Sequence, residues 1–382
     1  MTRLEKYKKT CRKYLYFKDT EHIDIIFGTV FANRLDARPV WVYIVGPPSS
    51  SKTEIIRTLS ESSEIYSLSR LTPKALISGV KTKDKKKMSL LSRLDGKVLT
   101  IKDFTAMLSM RYNDLMEVVG QLRDAYDGSS AVAFGTGDVR FKSKFGLIAC
   151  VTGAIDKHTR LVADLGERFV TYRMPAISRW EESQRCLKAM SIKSVKKKEE
   201  ELSKAALKVL ERRPKPATLS EFKRLKILNL AQVVASARCT ITRDQFTKEP
   251  ELPSIELAIR LTEQLSNLAI GIAMAREKRR VTEDELKLTM QVGVHSLTAK
   301  RMMLIEALLT YWPDPASINE IVGKLSFGFS ESIVRRWLED MLLLGLVEKF
   351  PTMGNKGKTY FRWQLVNGRL LKDVLFPDRK NK

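Results

Sequence analysis

The chain has 382 residues, 43% of them hydrophobic, and a formal net charge of +24. That length leaves room for about two or three domains, and the apolar content supports a packed core and excludes a disordered chain. The excess of lysine and arginine points to a polyanionic partner, nucleic acid before membrane; with no run of about 18 apolar residues and no signal peptide, the expectation is a soluble, cytoplasmic protein with no membrane partner.

Residues 1–35 begin basic and continue with Ile23, Ile26, Phe27, Val30 and Phe31 at helical spacing, a face to pack on the next segment of the chain. From 36 to 177 strand and helix patterns alternate. The apolar run Val40–Val45 leads into Gly46-Pro47-Pro48-Ser49-Ser50-Ser51-Lys52-Thr53, and Glu54–Leu59 continues as a helix. Strand, small-residue loop, Lys-Thr and helix is the order that a nucleotide-phosphate cradle needs. Backbone N–H groups and the helix N-terminus face phosphate oxygens, the lysine reaches the β- and γ-phosphates, and the threonine hydroxyl ligates Mg²⁺. Ser51 stands where glycine usually precedes the lysine, because backbone and phosphate come close there.

Ile65–Leu68 comes next as a strand, Lys81–Lys87 as a polar loop, and Lys97–Ile101 as a buried strand. Met107–Tyr126 has the pattern of one long amphipathic helix. Ala131–Phe141 reads as a hairpin with Gly135-Thr136-Gly137 at its turn, and Phe145–Val151 and Arg168–Arg173 as further strands. Several strands separated by helices imply a parallel α/β sheet.

Residues 178–298 are helical in periodicity. Lys196–Glu201 reads as a solvated face, Arg213-Pro214-Lys215-Pro216 as a break, and Pro253–Arg276 as a helix whose core face carries Ile255, Leu257, Leu261, Leu265, Leu268 and Ile272. Thr282-Glu283-Asp284-Glu285 has the form of a capping box. In the segment 299–370, helices at Arg301–Tyr311, Ile318–Leu325 and Ser330–Leu344 precede two strands, Gly345–Phe350 and Thr359–Leu365, joined by a turn at Met353–Lys358. Three helices and a basic hairpin describe a winged helix, whose third helix can enter a major groove. Arg335 and Arg336 beside Glu331, with Lys356 and Lys358 on the wing, are the candidate DNA contacts; the same motif also serves protein contacts. Residues 371–382 read as a basic tail.

Nucleotide hydrolysis needs a second strand whose acidic end holds Mg²⁺ and polarises water. Val98–Asp103 is the candidate, with Asp103 flanked by Lys102 and Phe104 rather than by a second acid. Thr152, at the end of the strand closing Val151-Thr152-Gly153, could orient the attacking water or simply end a strand. Arg168, in Gly166-Glu167-Arg168-Phe169, could reach a neighbouring subunit's phosphates or be a surface arginine. Cys11, Cys150, Cys186 and Cys239 are scattered and are expected as reduced thiols. His22, His158 and His295 are isolated, so neither a zinc site nor a His-based triad is expected.

In this order the pieces resemble an AAA+ ATPase, and within that group the minichromosome-maintenance-like replicative helicases of phages, plasmids and integrative elements. Gly46–Thr53 resembles Walker A, Ile101–Phe104 Walker B, Thr152 the first sensor and Glu167-Arg168-Phe169 the arginine-finger motif. The hairpin at Ala131–Phe141 is placed like the family's pore hairpin, and Arg260–Thr289, with Ala275-Arg276 and Val281–Asp284, resembles the helical lid. The likeness covers about residues 36–370. It departs at Lys102-Asp103, where the family has Asp-Glu, at Thr152, where Asn is common, and in lacking the N-terminal DNA-binding and zinc region of larger members.

The resemblance implies a P-loop α/β core (36–177), a helical lid (178–298) and a winged helix (299–370). It implies ATP and Mg²⁺ held by Gly46–Thr53 and Asp103, a hexameric ring with Arg168 acting between subunits, and Arg260 as second sensor with Arg238 as its rival. It further implies that Arg140, Lys142 and Lys144 face a channel that tracks a DNA strand. The activity expected is that of an ATP-driven replicative DNA helicase. Two other classes compete with it. One is an ATP-switched origin-binding or helicase-loading protein; the other is a transcription regulator using the ATPase part to oligomerise.

Overall fold

The computed structural model describes residues 1–72, 75–76, 89–134, 137–158, 168–244, 246–247, 249–325, 328–353 and 359–376, with backbone alone for 129–134 and 137–141. The Lys81–Lys87 loop, the Gly135-Thr136 part of the hairpin turn, Gly166-Glu167, Lys356 and Lys358 lie outside the described residues, as does the side chain of Arg140. The chain divides into two compact units, Met1–Lys223 with Glu263–Thr289, and Arg224–Thr262 with Met290–Lys382.

The first unit is built on a five-stranded sheet in the order β2–β3–β6–β1–β7. Its strands are β1 (Trp41–Val45), β2 (Ile65–Leu68), β3 (Val98–Ile101), β6 (Gly146–Val151) and β7 (Phe169–Arg173), and every pairing is parallel. Helices cover a parallel sheet on both faces, so its strands are apolar almost without interruption; all of β1, β3 and β6 is buried. This α/β architecture is compatible with a P-loop-like, Rossmann-type core. The hairpin strands β4 (Ser129–Phe134) and β5 (Gly137–Lys142) form a separate antiparallel pair inserted before β6.

Side chains alternate across each strand. Trp41, Tyr43 and Val45 join one core with Phe104, Phe145 and Phe169. Tyr43 stacks on Phe169 at 4.0 Å between ring centroids, and the Trp41 indole donates to the Phe145 carbonyl at 2.8 Å. The short helix α4 (Leu90–Leu94) precedes β3 and adds Leu90, Leu91 and Leu94 to the same core. The expected long helix at 107–126 is two, α5 (Thr105–Leu108) and α6 (Tyr112–Tyr126). Arg111 is extended (φ −58°, ψ 142°) and separates them. Apolar spacing misses this break because Met107, Leu108 and Leu115 reach the core from either side of it.

The N-terminal segment is integral to this unit rather than an appendage. α1 (Arg3–Tyr14), opened by a capping box of Thr2 and Glu5, packs along α8 (Val195–Leu210) and buries Leu4, Tyr7 and Cys11. α2 (Glu21–Ala32) is buried over nearly its whole length. It crosses α10 (Ile259–Ala275) so closely that a β-carbon at Gly271 would lie 2.1 Å from the Gly28 carbonyl oxygen. Lys198 of α8 is not on a solvated face as expected: it is buried, and its ammonium donates to both carboxylate oxygens of Glu54 at 3.0 and 3.1 Å. The pairing arises because α8 lies beside the helix α3 (Lys52–Arg57) that carries Glu54.

The second unit contains most of α9 (Glu221–Arg238), then α12 (Ala299–Leu309), α13 (Ile318–Lys324), α14 (Glu331–Leu343) and α15 (Gly368–Leu375). Its three-stranded sheet runs β8–β10–β9 (Ala316–Ser317, Thr359–Leu365, Val347–Met353) with antiparallel pairings. Two expectations change here. The helix drawn from Pro253 begins only at Ile259, which leaves Leu257 75% exposed. The tail drawn from 371 begins inside helix α15, which runs to Leu375 and is held because Leu371 and Val374 are buried; residues 377–382 lie outside the described residues. The division between units falls within α9, within α10 and within α11 (Glu283–His295). Among the described residues no helix is long and apolar enough to cross a membrane.

Candidate functional site

A cleft of about 600 Å³ opens at the carboxyl ends of β1, β3 and β6. The loop after β1 supplies its floor. Its first residue is anchored by a bond from the Gly46 amide to the Val151 carbonyl at 3.1 Å, and a β-carbon at Gly46 would stand 3.1 Å from the Met174 sulfur. Ser49 and Ser51 are left-handed, at φ 58° and 68°. This is the conformation that glycine adopts freely and an L-residue adopts at a cost of about 1–2 kcal/mol. The serine that departs from the usual loop pattern thus takes up the backbone geometry a glycine would have.

Lys52 is 6% exposed. Its ammonium donates to the carbonyls of Gly46 (2.6 Å) and Pro47 (2.7 Å) and to Ser50 Oγ (2.8 Å), so the loop wraps its own lysine. Burial holds this ammonium below the usual lysine value. The Asp103 carboxylate opposes that effect and Arg185 adds to it. Thr53 Oγ1 donates to the Lys102 carbonyl at 3.4 Å, which places the Lys-Thr pair against the end of β3.

Asp103 is exposed and lines the cleft. Its Oδ1 accepts the Thr105 amide at 3.0 Å, a local turn that fixes the carboxylate just beyond the strand. Thr105 joins β3 to β6: its hydroxyl accepts the Thr152 amide at 3.1 Å and donates to Thr152 Oγ1 at 3.3 Å. Thr152 Oγ1 also accepts the Ala154 amide at 3.4 Å, capping the 3₁₀ turn Gly153–Lys157. Cys150 lines the same space, but burial pushes its thiol up to about 12, so it remains a neutral thiol near pH 7.

The structure therefore brings Pro48 to Thr53, Asp103 and Thr152 around one cleft, with Gly46 and Pro47 bonded to Lys52 behind it. It adds residues that motif reading missed. Thr105 is one. Tyr14, which ends α1, and Leu15 and Tyr16 just after it line the cleft, as do Arg185 and Ala189 of α7 (Arg179–Met190). Nothing in local spacing marks the residues of α1 and α7, because they reach the site only through packing over long sequence separation.

Other expected residues are placed elsewhere. Arg168 does not project outward. It precedes the β7 end that pairs with Trp41, away from the carboxyl ends, and it is 6% exposed. Its guanidinium pairs with Asp127 at 2.7 Å and lies over the Tyr126 ring; α6 ends there and brings both groups to it. Lys144 does not face open solvent: its ammonium donates to the Leu35 carbonyl, and its amide donates to Asp95 at 2.8 Å. Lys142, at the end of β5, is exposed. Arg260 and Arg238 lie in the second unit, where Arg260 pairs with Glu256 at 2.9 Å. Arg335 and Arg336 are exposed on α14, whose Val334 and Leu338 are buried. No protein-family model matches the chain, and a search of curated proteins finds no match either.

Proposed function

We propose that the chain is a P-loop ATPase of the AAA+ kind, resembling the minichromosome-maintenance-like helicases, and that it works in the cytoplasm as a ring-forming, ATP-driven DNA motor. The observation that carries this reading is the convergence of the wrapped Lys52, Thr53, Asp103 and Thr152 on one cleft at the carboxyl ends of a parallel sheet, where such sheets bind ligands. The helices and antiparallel sheet of the second unit support the winged-helix reading, with exposed Arg335 and Arg336 available to a phosphate backbone.

The cleft's residues fit ATP with Mg²⁺. Among the described residues no group of three or more His, Cys, Asp or Glu could hold a metal alone. Mg²⁺ characteristically binds through one or two protein oxygens together with substrate phosphates. Thr53 and Asp103 would be those protein ligands, and bound Mg²⁺ would neutralise charge on the terminal phosphoryl group as it passes to water. Lys52 would exchange bonds to its own loop for bonds to phosphate. Thr152 would hold water near the terminal phosphate with the hydrogen that its two accepted bonds leave free to donate. Purified protein should hydrolyse ATP faster with DNA present, and Lys52→Ala should remove that activity. Undiminished turnover in the variant would end the proposal.

A second reading is favoured by the acid pattern. Asp103 has no second acid beside it: with Asp103 on the metal, the next position is the buried Phe104 and supplies no group to activate water, and with Asp103 activating water, Lys102, half-buried and lining the same cleft, holds the metal-side place. An ATP-switched origin-binding or helicase-loading protein would tolerate that arrangement. Tight ATP binding with negligible turnover and no strand separation would select the switch over the motor.

A further inference from the structure

The cleft's charges do not balance. Three cationic side chains line it, Lys52, Lys102 and Arg185, against two carboxylates, Glu54 and Asp103. Both oxygens of Glu54 are already engaged by Lys198. Arg185 is the unusual member. It is half-buried, has no carboxylate partner among the described residues, and its Nε is buried without an acceptor. A buried charged donor with no partner is costly, and structural arginines are ordinarily paired, as Arg168, Arg173 and Arg276 are here.

The helix that presents it is fixed. Ser178 and Glu181 form a capping box at the start of α7. Glu181 lies 3.5 Å from the Lys18 ammonium, and Trp180 meets the Tyr16 ring edge-on at 6.0 Å. Arg185 comes about one turn after Glu181, and Tyr16 itself lines the cleft. The guanidinium is thus held at the cleft by an element with three separate restraints.

We propose that Arg185 is a second polyphosphate-binding group, acting from the same chain as Lys52 and selecting ligands with two or more phosphates. This rests on the phosphate-loop reading of Gly46–Thr53 and deepens it. Arginine's planar fork suits two phosphate oxygens at once, which a lysine does not reproduce.

The test uses the full chain, as wild type and as Arg185→Ala, Arg185→Lys and Lys52→Ala, titrated calorimetrically with tripolyphosphate, ATP and AMP. Intrinsic tryptophan fluorescence, compared with that of Trp180→Phe to isolate the residue in contact with Tyr16, serves as an independent signal. Arg185→Ala should weaken tripolyphosphate and ATP by roughly 10- to 100-fold, leave AMP within about threefold, and be only partly rescued by lysine. Circular dichroism checks folding, and Arg185→Gln replaces the alanine variant should that one misfold. If Arg185→Ala binds all three ligands like wild type while Lys52→Ala does not, the inference is overturned. Arg185-dependent uptake of tripolyphosphate with no uptake of ATP keeps the inference and removes the nucleotide reading. Wild-type protein that takes up neither ends both.

Discussion

Two regions of the first unit gather positive charge, and they treat it in opposite ways. Around Asp24 and Glu285 every cation has a carboxylate. Arg276 reaches Asp24 at 2.9 Å and Glu285 at 2.7 Å, Lys278 reaches Glu285 at 2.8 Å, and Lys8 bonds Asp24. Both acids are almost wholly buried, at 2% and 0% exposure. In the cleft, Lys52 satisfies its donors with carbonyls and a hydroxyl, and Arg185 has no carboxylate among the described residues. The first arrangement is a strut joining α1, α2 and α11 with the turn after α10. The second leaves positive charge uncompensated where a ligand can supply the anion. Arg276, which lies in the run that resembles a lid, therefore belongs to the framework.

The comparison can be broken by removing one member from each region. Glu285→Ala should have the largest effect, lowering the unfolding free energy by about 3 kcal/mol, because it removes the buried acceptor shared by Arg276, Lys278 and Thr282 and leaves Arg276 with Asp24 alone. Urea denaturation reads this directly, and a loss below about 1 kcal/mol would show that the cluster is not a strut.

Acid should reveal the same cluster without mutation. Burial alone would raise the Glu285 carboxyl, but bonds from Lys278, Thr282 and Arg276 outweigh it and bring the value to about 2. A group depressed in the folded state contributes fully above its unfolded value and loses that contribution as pH falls. Stability should therefore drop by about 3 kcal/mol between pH of roughly 4.5 and 2, and Glu285→Gln should flatten that part of the curve.

Smaller changes sharpen the view of the cleft. Ser51→Gly relieves a left-handed serine at φ 68° and should raise stability by about 0.5–1 kcal/mol, since part of the relief is returned as unfolded-chain entropy. A fall in melting temperature would contradict the strained-loop account. Arg185→Ala should be the smallest, a gain of up to about 0.5 kcal/mol in the same urea assay, because no ion pair to another side chain is lost and an unpartnered buried donor is removed. A cost as large as that of Glu285→Ala would mean that Arg185 is also a strut.

Local pattern carried much of the first unit. The strands at Trp41–Val45, Val98–Ile101 and Gly146–Val151 were legible because two-sided burial demands unbroken apolar runs. Lys52 and Thr53 were legible as cleft residues because strand, small-residue turn and helix start follow one another directly in the chain. The break at Ser109–Arg111 and the late start of α10 were not, since both depend on which apolar residues find a core. Arg168 and Lys144 were read as outward cations; their partners, Asp127 and the Leu35 carbonyl, lie 41 and 109 residues away.

What the chain order alone determined was the parallel α/β core and the loop at Gly46–Thr53, because strand periodicity and turn chemistry act over a few residues. Tertiary packing decided the rest of the site: it set Thr105 against Thr152, brought Tyr16 and Arg185 to the cleft, and withdrew Arg168 and Lys144 into the framework. The physical reason is that a charge takes its role from the partner beside it, and that partner is chosen by the fold rather than by the neighbouring sequence.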